Sequence, residues 1–280
     1  MSAKLNLNAY FERIGFSGSI APTVNTLALL HSLHPAAIPF ENLDPLLGLP
    51  VSLRLDDIES KLVLEQRGGY CFEHNLLFMA VLRELEFTVR PLPARVVWSN
   101  PEAVSAPPTH MLLAVDIGGS TYIADVGFGG LTLTAPLKLR KDVEEETPHE
   151  RFRLTGGDPD WRLEAELQPG EWRPLYHFTT EEWQQAEYES ANLSTSSGEN
   201  SPFTRELRVA LSPSGRRLTL RGNRFTTYRV GEPAEERLLA SVAEIREVLT
   251  ERFGLSLPQS PELDDKLHTF VPMTVPETDG

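Results

Sequence analysis

The stretch that decides the fold is Arg67–Asn75, which reads RGGYCFEHN. Its two adjacent glycines permit a tight turn, because glycine adopts backbone conformations that other residues avoid. An apolar run, Cys71–Leu85, follows the turn at once and carries apolar side chains on most of its faces. A helix that is apolar on most faces is buried. The stretch therefore predicts a tight turn leading into a buried helix, with Cys71 at or near its N-terminus.

Cys71 is the single cysteine of the chain, so an internal disulfide and an extracellular disulfide scaffold are excluded. At a helix N-terminus the unpaired N–H groups and the helix dipole stabilise an anion, which favours the thiolate. The same N–H groups can receive the oxyanion that forms when a sulfur attacks a carbonyl. Cys71 is therefore a candidate nucleophile, and the alternative is an inert buried cysteine.

A cysteine nucleophile needs a base, and His110 is the best placed of the seven histidines. It opens a strand-like run, and Gly118-Gly119 predicts a two-residue hairpin turn after that run. The turn sets Leu112 opposite Asp125, so that His110 and Asp125 share one face as diagonal neighbours. A carboxylate among apolar strand residues needs a partner, which the imidazole supplies. The pattern predicts a triad of Cys71 as nucleophile, His110 as base and Asp125 as orienter of the imidazole, unless Asp125 is an ordinary outward-facing residue.

The other histidines are expected to have structural places. His74 follows Cys71 on the helix and is expected to pack there. His31 and His34 are expected to form a pair on a helix surface, since no cysteine or carboxylate cluster completes a metal site. His149 falls in the acidic stretch 140–151, which is expected to be a solvated loop.

The composition limits the class of protein. The chain has 280 residues, of which 40% are hydrophobic and 24% charged, so disorder and coiled-coil rods are excluded. A net charge of −14, from 26 basic and 40 acidic residues, disfavours sequence-blind binding to nucleic acid or anionic lipid. No apolar stretch is long enough for a membrane helix, and the N-terminus lacks the apolar segment of a secretory signal. We therefore expect a cytoplasmic protein.

Three patterns follow one another along the chain. Residues 1–88 show helical spacing, with one helix expected to begin at Val24 and to end at Pro35. Residues 89–192 show short runs of period two, which are typical of strands. Residues 193–280 combine strand-like runs with a helix whose apolar stripe spans Leu238–Phe253, and the Pro-rich last 23 residues are expected to wrap or fray. This order predicts an α+β protein of two or three domains. Taken as three, they are 1–88 carrying the nucleophile, 89–192 carrying histidine and aspartate, and 193–280.

The motifs resemble those of the arylamine N-acetyltransferase family, in its prokaryotic type. The resemblance covers most of the chain, through YFERIG (10–15), IPFENLD (38–44), RGGYCFEHN (67–75), THMLLAV (109–115), YIADVGFGG (122–130) and SPFTREL (201–207). It implies a helical bundle, a central β-barrel and a C-terminal α/β lid. It also implies ping-pong acetyl transfer from acetyl-CoA to arylamines, arylhydrazines or N-hydroxyarylamines, through an acetyl-Cys71 thioester and without a metal. Such an enzyme acts in xenobiotic metabolism, as a monomer or homodimer.

The resemblance also implies binding residues. Phe128 and Val96 resemble the wall of the acceptor pocket, although Phe128 is equally readable as plain core. Thr109, Gly129, Phe203 and Thr204 resemble residues on the coenzyme A side. Glu41 and Arg67 resemble a buried charge pair near the nucleophile, and a helix-capping carboxylate is the alternative for Glu41. Because the chain is acidic, a coenzyme A phosphate needs a local cation, and the candidates are Arg205, Arg208, Arg216, Arg217 and Arg221.

Two other functions remain open from the sequence. A transglutaminase-like cysteine hydrolase or acyltransferase uses the same order of Cys, His and Asp, and a hydrolase releases an acid product. A non-catalytic binding protein on this scaffold is distinguished by the loss of a triad residue, and none is lost here.

Overall fold

The computed structural model describes residues 5–99 and 105–271. Its helices are α1 Leu7–Ile14, α2 Val24–Ala37, α3 Leu43–Leu46, α4 Leu55–Glu59 with a π turn at Ser60–Leu64, α5 Cys71–Glu84, α6 Gln185–Ser197, α7 Pro202–Arg205, α8 Val242–Glu247 with a π turn at Val248–Arg252, and α9 Glu262–His268. Its strands are β1 Phe40–Glu41, β2 Thr88–Val96, β3 His110–Ile117, β4 Ser120–Ala124, β5 Leu137–Lys138, β6 Glu144–Glu146, β7 Arg151–Gly157, β8 Asp160–Gln168, β9 Glu171–Phe178, β10 Arg208–Leu211, β11 Arg216–Arg221, β12 Arg224–Arg229 and β13 Glu235–Leu238. The fold is mixed α+β.

Helices α1, α2 and α5 form one hydrophobic core with the face of the first long hairpin. The predicted helix that follows Gly68-Gly69 is confirmed as α5, which is buried along most of its length. Thr23 caps α2 by accepting the N–H of Thr26. The expectation that Pro35 ends α2 is wrong, because the helix continues to Ala37. Proline in the last turn removes one N–H donor, and the Ile38 N–H still reaches the His34 carbonyl at 2.9 Å.

Eight antiparallel strands form a nearly closed, barrel-like sheet in the order β5-β4-β3-β2-β9-β8-β7-β6. The predicted hairpin register is confirmed, with Ile117 opposite Ser120 and Leu113 opposite Ala124. The strand ends at Ala124, however, so Asp125 lies just beyond the hydrogen-bonded ladder. The acidic stretch expected to be a solvated loop contains strand β6, which pairs with β7.

Five further strands form a second sheet in the order β1-β10-β11-β12-β13, covered by α8 and α9. Its first strand comes from the N-terminal part of the chain, where Phe40 pairs with Ala210. One expectation is wrong here. Leu238 belongs to edge strand β13 and is 60% exposed, because the helix begins only at Val242. The Pro-rich tail contains helix α9, which buries Leu263 and Leu267, while residues 272–280 lie outside the described part.

Helix α6 occupies the end of the region where period-two runs predicted strands. The predicted division at residues 88 and 192 stays a prediction. None of the helices within 5–99 and 105–271 has the length and apolar character needed to cross a membrane.

Candidate active site

Cys71 is the first residue of α5 and is only 4% exposed. The Glu73 carboxylate accepts the Tyr70 N–H at 2.9 Å and so closes the first turn of the helix. The Cys71 thiol points at the carbonyl oxygen of Thr109, with Sγ 3.7 Å from that oxygen. The sulfur therefore lies against the peptide that immediately precedes His110.

The two glycines before Cys71 are required by close packing. A Cβ at Gly68 would lie 2.0 Å from the Pro39 carbonyl oxygen, and one at Gly69 would lie 2.7 Å from a Glu73 oxygen. Neither glycine has the positive φ that would by itself favour glycine. The expectation of a tight turn at these glycines is therefore wrong: Gly69 forms a parallel bridge with Phe40, the positive φ of +53° lies at Gln66, and the glycines are needed because neighbouring chain approaches closely.

His110 and Asp125 are both buried and in contact, with His110 Nε2 2.7 Å from Asp125 Oδ2. A carboxylate only accepts, so Nε2 carries the proton and Nδ1 presents its lone pair. The other carboxylate oxygen accepts from Asn75 Nδ2 at 3.0 Å and from the Gly127 N–H at 2.9 Å. Burial alone would raise the pKa of Asp125, but His110 and these donors more than offset it and hold the pKa below its ordinary value.

Asn75 links Cys71 to Asp125 and was not singled out from the sequence. Its Nδ2 donates to the Cys71 carbonyl and the Met111 carbonyl as well as to Asp125, and its Oδ1 accepts the Val126 N–H. The signal was available, because Asn75 stands four residues after Cys71 and so lies one helical turn further on the same face.

Burial raises the pKa of the Cys71 thiol, and the Asp125 carboxylate raises it further. The N–H of Phe72 acts in the opposite direction but is outweighed. The N–H groups at the helix start thus favour the thiolate as expected, but burial and Asp125 outweigh them. A thiolate here needs a group that takes its proton and then faces it as a cation.

Two aromatic rings, those of Phe128 and Tyr176, pack against the His110 imidazole. The Phe128 ring centroid is 5.4 Å from that of His110, and the Tyr176 ring centroid is 5.1 Å away. Phe128 is only half-buried, and Val96 pairs with Tyr176 between strands β2 and β9. Phe128, Val96 and Tyr176 thus come together. Tyr176 was missed because strand β9 was missed, and burial together with the nearby Asp125 carboxylate raises the pKa of its hydroxyl.

Of the residues expected on the coenzyme A side, Thr109 contacts Cys71, while Phe203 and Gly129 both lie against the Phe40 ring. The half-buried Phe203 ring lies 5.7 Å from the Tyr70 ring and 6.1 Å from the Phe40 ring. A Cβ at Gly129, whose φ is +92°, would touch the same Phe40 ring at 3.5 Å. Thr109 carries the carbonyl that faces Sγ.

The fourth of these residues is turned inward. The Thr204 hydroxyl donates to the Ser201 carbonyl within its own turn. Asn42, which the sequence did not single out, fixes this turn by donating to the Phe203 and Glu206 carbonyls and accepting the Arg208 N–H.

Glu41 has both of the functions that the sequence left open. Its Oε1 accepts from Arg67 Nη2 at 2.8 Å, and its Oε2 accepts the Leu43 N–H at the start of α3. The charge pair extends further, because Arg67 also contacts Asp44, and Lys61 bridges Asp44 and Glu73 at 2.6 and 2.7 Å. Glu73 caps α5 next to Cys71, so this buried network fixes the first turn of the helix.

The arginine candidates for a phosphate contact are largely engaged within the protein. Arg217 is buried and paired with Glu150, while Arg208 and Arg221 both contact Glu206. Arg217 is therefore unavailable to a phosphate because it is buried, whereas Arg208 and Arg221 stay partly exposed beside Glu206. Arg205, next to Thr204, donates only a neutral hydrogen bond to Asn200 among the described residues.

His31 and His34 are fully buried, so the predicted surface pair is wrong. Helix α2 packs its histidine face inward against α5 and the end of β4. His34 Nε2 lies 2.9 Å from His74 Nδ1, and His31 Nε2 accepts the backbone N–H of Asp125 at 3.0 Å. His149, expected in a solvated loop, contacts Thr134 and the carbonyl of Pro213.

Known proteins share both the sequence and this fold. A profile of the N-acetyltransferase family matches residues 23–261. The arylamine N-acetyltransferase of Escherichia coli strain K12 is 44% identical over 265 residues, covering 94% of this chain and 92% of that protein. That of Mycolicibacterium smegmatis is 40% identical over 257 residues, covering 90% and 93%. The solved structure of Mycobacterium marinum arylamine N-acetyltransferase in complex with CoA has a TM-score of 0.90 and 37% identity, over 95% of this chain and 100% of that one. The chain therefore belongs to the arylamine N-acetyltransferase family and is an acyltransferase.

Proposed function

We propose that this enzyme moves an acetyl group from acetyl-CoA to the nitrogen of an arylamine, arylhydrazine or N-hydroxyarylamine, with an acetyl-Cys71 thioester as intermediate. The observation that carries the proposal is the contact of the Cys71 thiol with the peptide before His110, together with the bond from His110 Nε2 to Asp125. This arrangement leaves His110 Nδ1 as the available base.

In the first half-reaction His110 accepts the thiol proton, and the sulfur attacks the thioester carbonyl of acetyl-CoA. The bond from the carbonyl carbon to the coenzyme A sulfur breaks, and the leaving thiolate takes the proton from His110. One thioester replaces another, so the exchange is nearly isoenergetic. Asp125 stabilises the imidazolium that forms in between, and its lowered pKa keeps it ionised for that purpose.

In the second half-reaction the aromatic amine attacks the acetyl-Cys71 carbonyl. His110 accepts a proton from the amine nitrogen, the bond from carbonyl carbon to sulfur breaks, and the proton returns to the Cys71 sulfur. An arylamine is neutral near pH 7 and has its lone pair available, whereas an alkylamine is mostly protonated. The product is a stable amide, which makes this half-reaction favourable.

The surroundings of Cys71 fit two substrates that arrive in turn. The half-buried Phe128, with Val96 beside it, forms an aromatic wall next to His110 and suits a planar acceptor. Thr109, Gly129, Phe203 and Thr204 form the proposed coenzyme A side. We assign the phosphate contact to Arg205, because it adjoins Thr204 and is not engaged by a carboxylate among the described residues.

The experiment that tests the proposal is intact-mass measurement after mixing the protein with acetyl-CoA alone. We expect one acetyl adduct on the wild-type protein, lost on addition of an aromatic amine with formation of the acetylated amine. Cys71→Ala should form no adduct while remaining folded. An adduct on Cys71→Ala, or none on the wild type, would contradict the mechanism. Rapid loss of the adduct without amine, with release of acetate, would indicate the transglutaminase-like hydrolase instead.

A further inference from the structure

His31 lies in the middle of α2 and is fully buried. Among the described residues, its side chain makes one hydrogen bond, and the partner is the backbone of Asp125 in the proposed triad. Its Nε2 lies 3.0 Å from the backbone nitrogen of Asp125, which is 94 residues away in the sequence. A peptide N–H can only donate, so Nε2 is the acceptor and the neutral ring carries its proton on Nδ1.

That proton has no hydrogen-bond partner among the described residues. The nearest ring is Phe78 of α5, edge-on at 5.8 Å between centroids. The charged group that faces His31 is Asp125, and the other titratable group close to it is His34 on the same helix. Burial lowers the pKa of His31 to about 4, which keeps the ring neutral and Nε2 able to accept. A buried unpaired donor is unfavourable for stability, so the ring is poorly explained by packing alone.

The acceptor on His31 matters because of where β4 ends. The β4–β5 ladder pairs only Tyr122 and Ile123, so the Asp125 N–H falls beyond it. A buried peptide N–H without an acceptor would let this segment shift towards any available oxygen. The Asp125 carbonyl is already fixed by the Thr132 hydroxyl at 2.9 Å. His31 therefore completes the immobilisation of the Asp125 backbone.

We propose that His31 is a positioning residue for the reaction, which holds the backbone of Asp125 so that its carboxylate keeps His110 in the orientation that presents Nδ1 to Cys71. The inference rests on the proposed function, because it assigns His31 a part in forming the acetyl-Cys71 thioester. His31 acts through Asp125 and touches neither substrate nor sulfur.

Three substitutions at this position separate hydrogen bonding from packing. His31→Leu and His31→Phe both remove the acceptor, one with an aliphatic and one with a ring-shaped side chain. His31→Gln places a carbonyl oxygen the same number of covalent bonds from the backbone as Nε2 and so retains the acceptor. His34→Leu is the matched control, since His34 is equally buried one turn further along α2 but bonds Tyr10 and His74 instead.

We measure the rate of Cys71 acetylation by acetyl-CoA across donor concentrations, and the pH dependence of Cys71 alkylation by iodoacetamide. We expect His31→Leu and His31→Phe to lower the limiting acetylation rate by about 10- to 100-fold, with little change in the half-saturating concentration of acetyl-CoA. The alkylation midpoint should move to higher pH, because a misplaced His110 takes the thiol proton less readily. His31→Gln should recover most of the rate, and His34→Leu should lower the Tm without moving the midpoint.

The inference is overturned if a folded His31→Leu or His31→Phe variant reacts like the wild type. It is also overturned if His31→Gln is as slow as they are, or if His34→Leu shifts the alkylation midpoint equally. Absence of an acetyl adduct on the wild-type protein contradicts the proposed function instead. The alkylation series still tests His31 in that case, because alkylation requires only Cys71 and His110.

Discussion

At the scale of single residues, Gly127 shows how closely α5 approaches the segment that carries Asp125. A Cβ built at Gly127 would lie 2.8 Å from Asn75 Nδ2 and 2.8 Å from the Cys71 carbonyl oxygen. The Gly127 N–H also donates to the Asp125 carboxylate. The missing side chain is therefore what allows Cys71 and Asp125, the proposed nucleophile and orienting carboxylate, to share Asn75.

We predict that Gly127→Ala slows Cys71 acetylation by about 100-fold, because the added methyl group must displace Asn75 or the first turn of α5. Overpacking should also lower the free energy of unfolding by about 1–3 kcal/mol. Intact-mass kinetics and urea unfolding measure the two effects.

Gly130→Ala is the matched control in the same loop. Its Cβ would meet only the Thr219 methyl group, at an ordinary contact distance of 3.4 Å. Equal rates for the two variants would refute the steric explanation.

At the scale of elements, α1, α2 and α5 are joined by a directed chain of hydrogen bonds. The Pro39 carbonyl only accepts, so His74 Nε2 donates to it and His74 Nδ1 accepts from His34 Nε2. His34 Nδ1 then accepts the Tyr10 hydroxyl proton at 2.8 Å. Each neutral ring has one donor and one acceptor, so protonation of either histidine would break a bond between helices.

Because these hydrogen bonds require neutral histidines, we predict that the protein loses stability in mild acid. Burial lowers the pKa of His74 to about 4, against an ordinary value near 6.5. Between these two values the unfolded chain binds more protons than the folded one, so the free energy of unfolding falls as pH falls through this window. The loss is of order 3 kcal/mol for His74, with a similar contribution from His31, whose pKa is also lowered to about 4.

Urea unfolding at pH 7, 6, 5 and 4.5 (roughly the span of this window) measures the loss. His74→Gln cannot titrate there and should show a smaller decrease than the wild type. A decrease of the same size in both proteins would mean that other groups cause the acid sensitivity.

At the scale of the whole molecule, Arg217 joins the two sheets behind the site. It lies in β11, pairs with Glu150 just before β7, and donates to the Thr132 carbonyl at 2.9 Å and the Ser212 hydroxyl at 2.8 Å. Thr132 in turn holds the Asp125 carbonyl. A single buried guanidinium thus links the five-stranded sheet, the eight-stranded sheet and the loop that follows the proposed triad aspartate.

We predict that Arg217→Leu lowers the free energy of unfolding by about 3–5 kcal/mol, because Glu150 and the Thr132 carbonyl lose their buried partner. Arg221→Leu breaks an exposed pair with Glu206 and should cost less than about 1 kcal/mol. Urea unfolding of both variants gives the comparison, and similar losses would show that Arg217 does not join the sheets as described.

The features that the sequence predicts well are local ones. They are the helix that begins at Cys71, the Gly118-Gly119 turn and the register of the hairpin. Each depends on residues that are close together in the sequence. The register in turn predicts the contact of His110 with Asp125. Cys71 at the helix start also follows from the sequence, as does the order of helices, strands and a mixed region.

The features that the sequence did not predict depend on distant partners. His31 has the sequence context of a surface residue, and only the packing of α2 on the end of β4 buries it. Arg217 has the sequence context of a free cation, and only the fold brings it to Glu150, just before β7. Phe40 pairs with Ala210 across the length of the chain, which no local pattern indicates. Tyr176 was not predicted because strand β9, which contains Pro174, lacks a clear alternation of polar and apolar residues.

The sequence by itself determined the family to which the chain belongs, the helix that starts at Cys71 and the register of the hairpin that carries His110, since these follow from short-range periodicity, turn chemistry and motif. Only the tertiary structure decided which polar groups are buried and what they meet. This burial sets the lowered pKa of His31 and His74, the raised pKa of the Cys71 thiol and the ion pair of Arg217, because burial and nearby charge are properties of packed neighbours rather than of residue type.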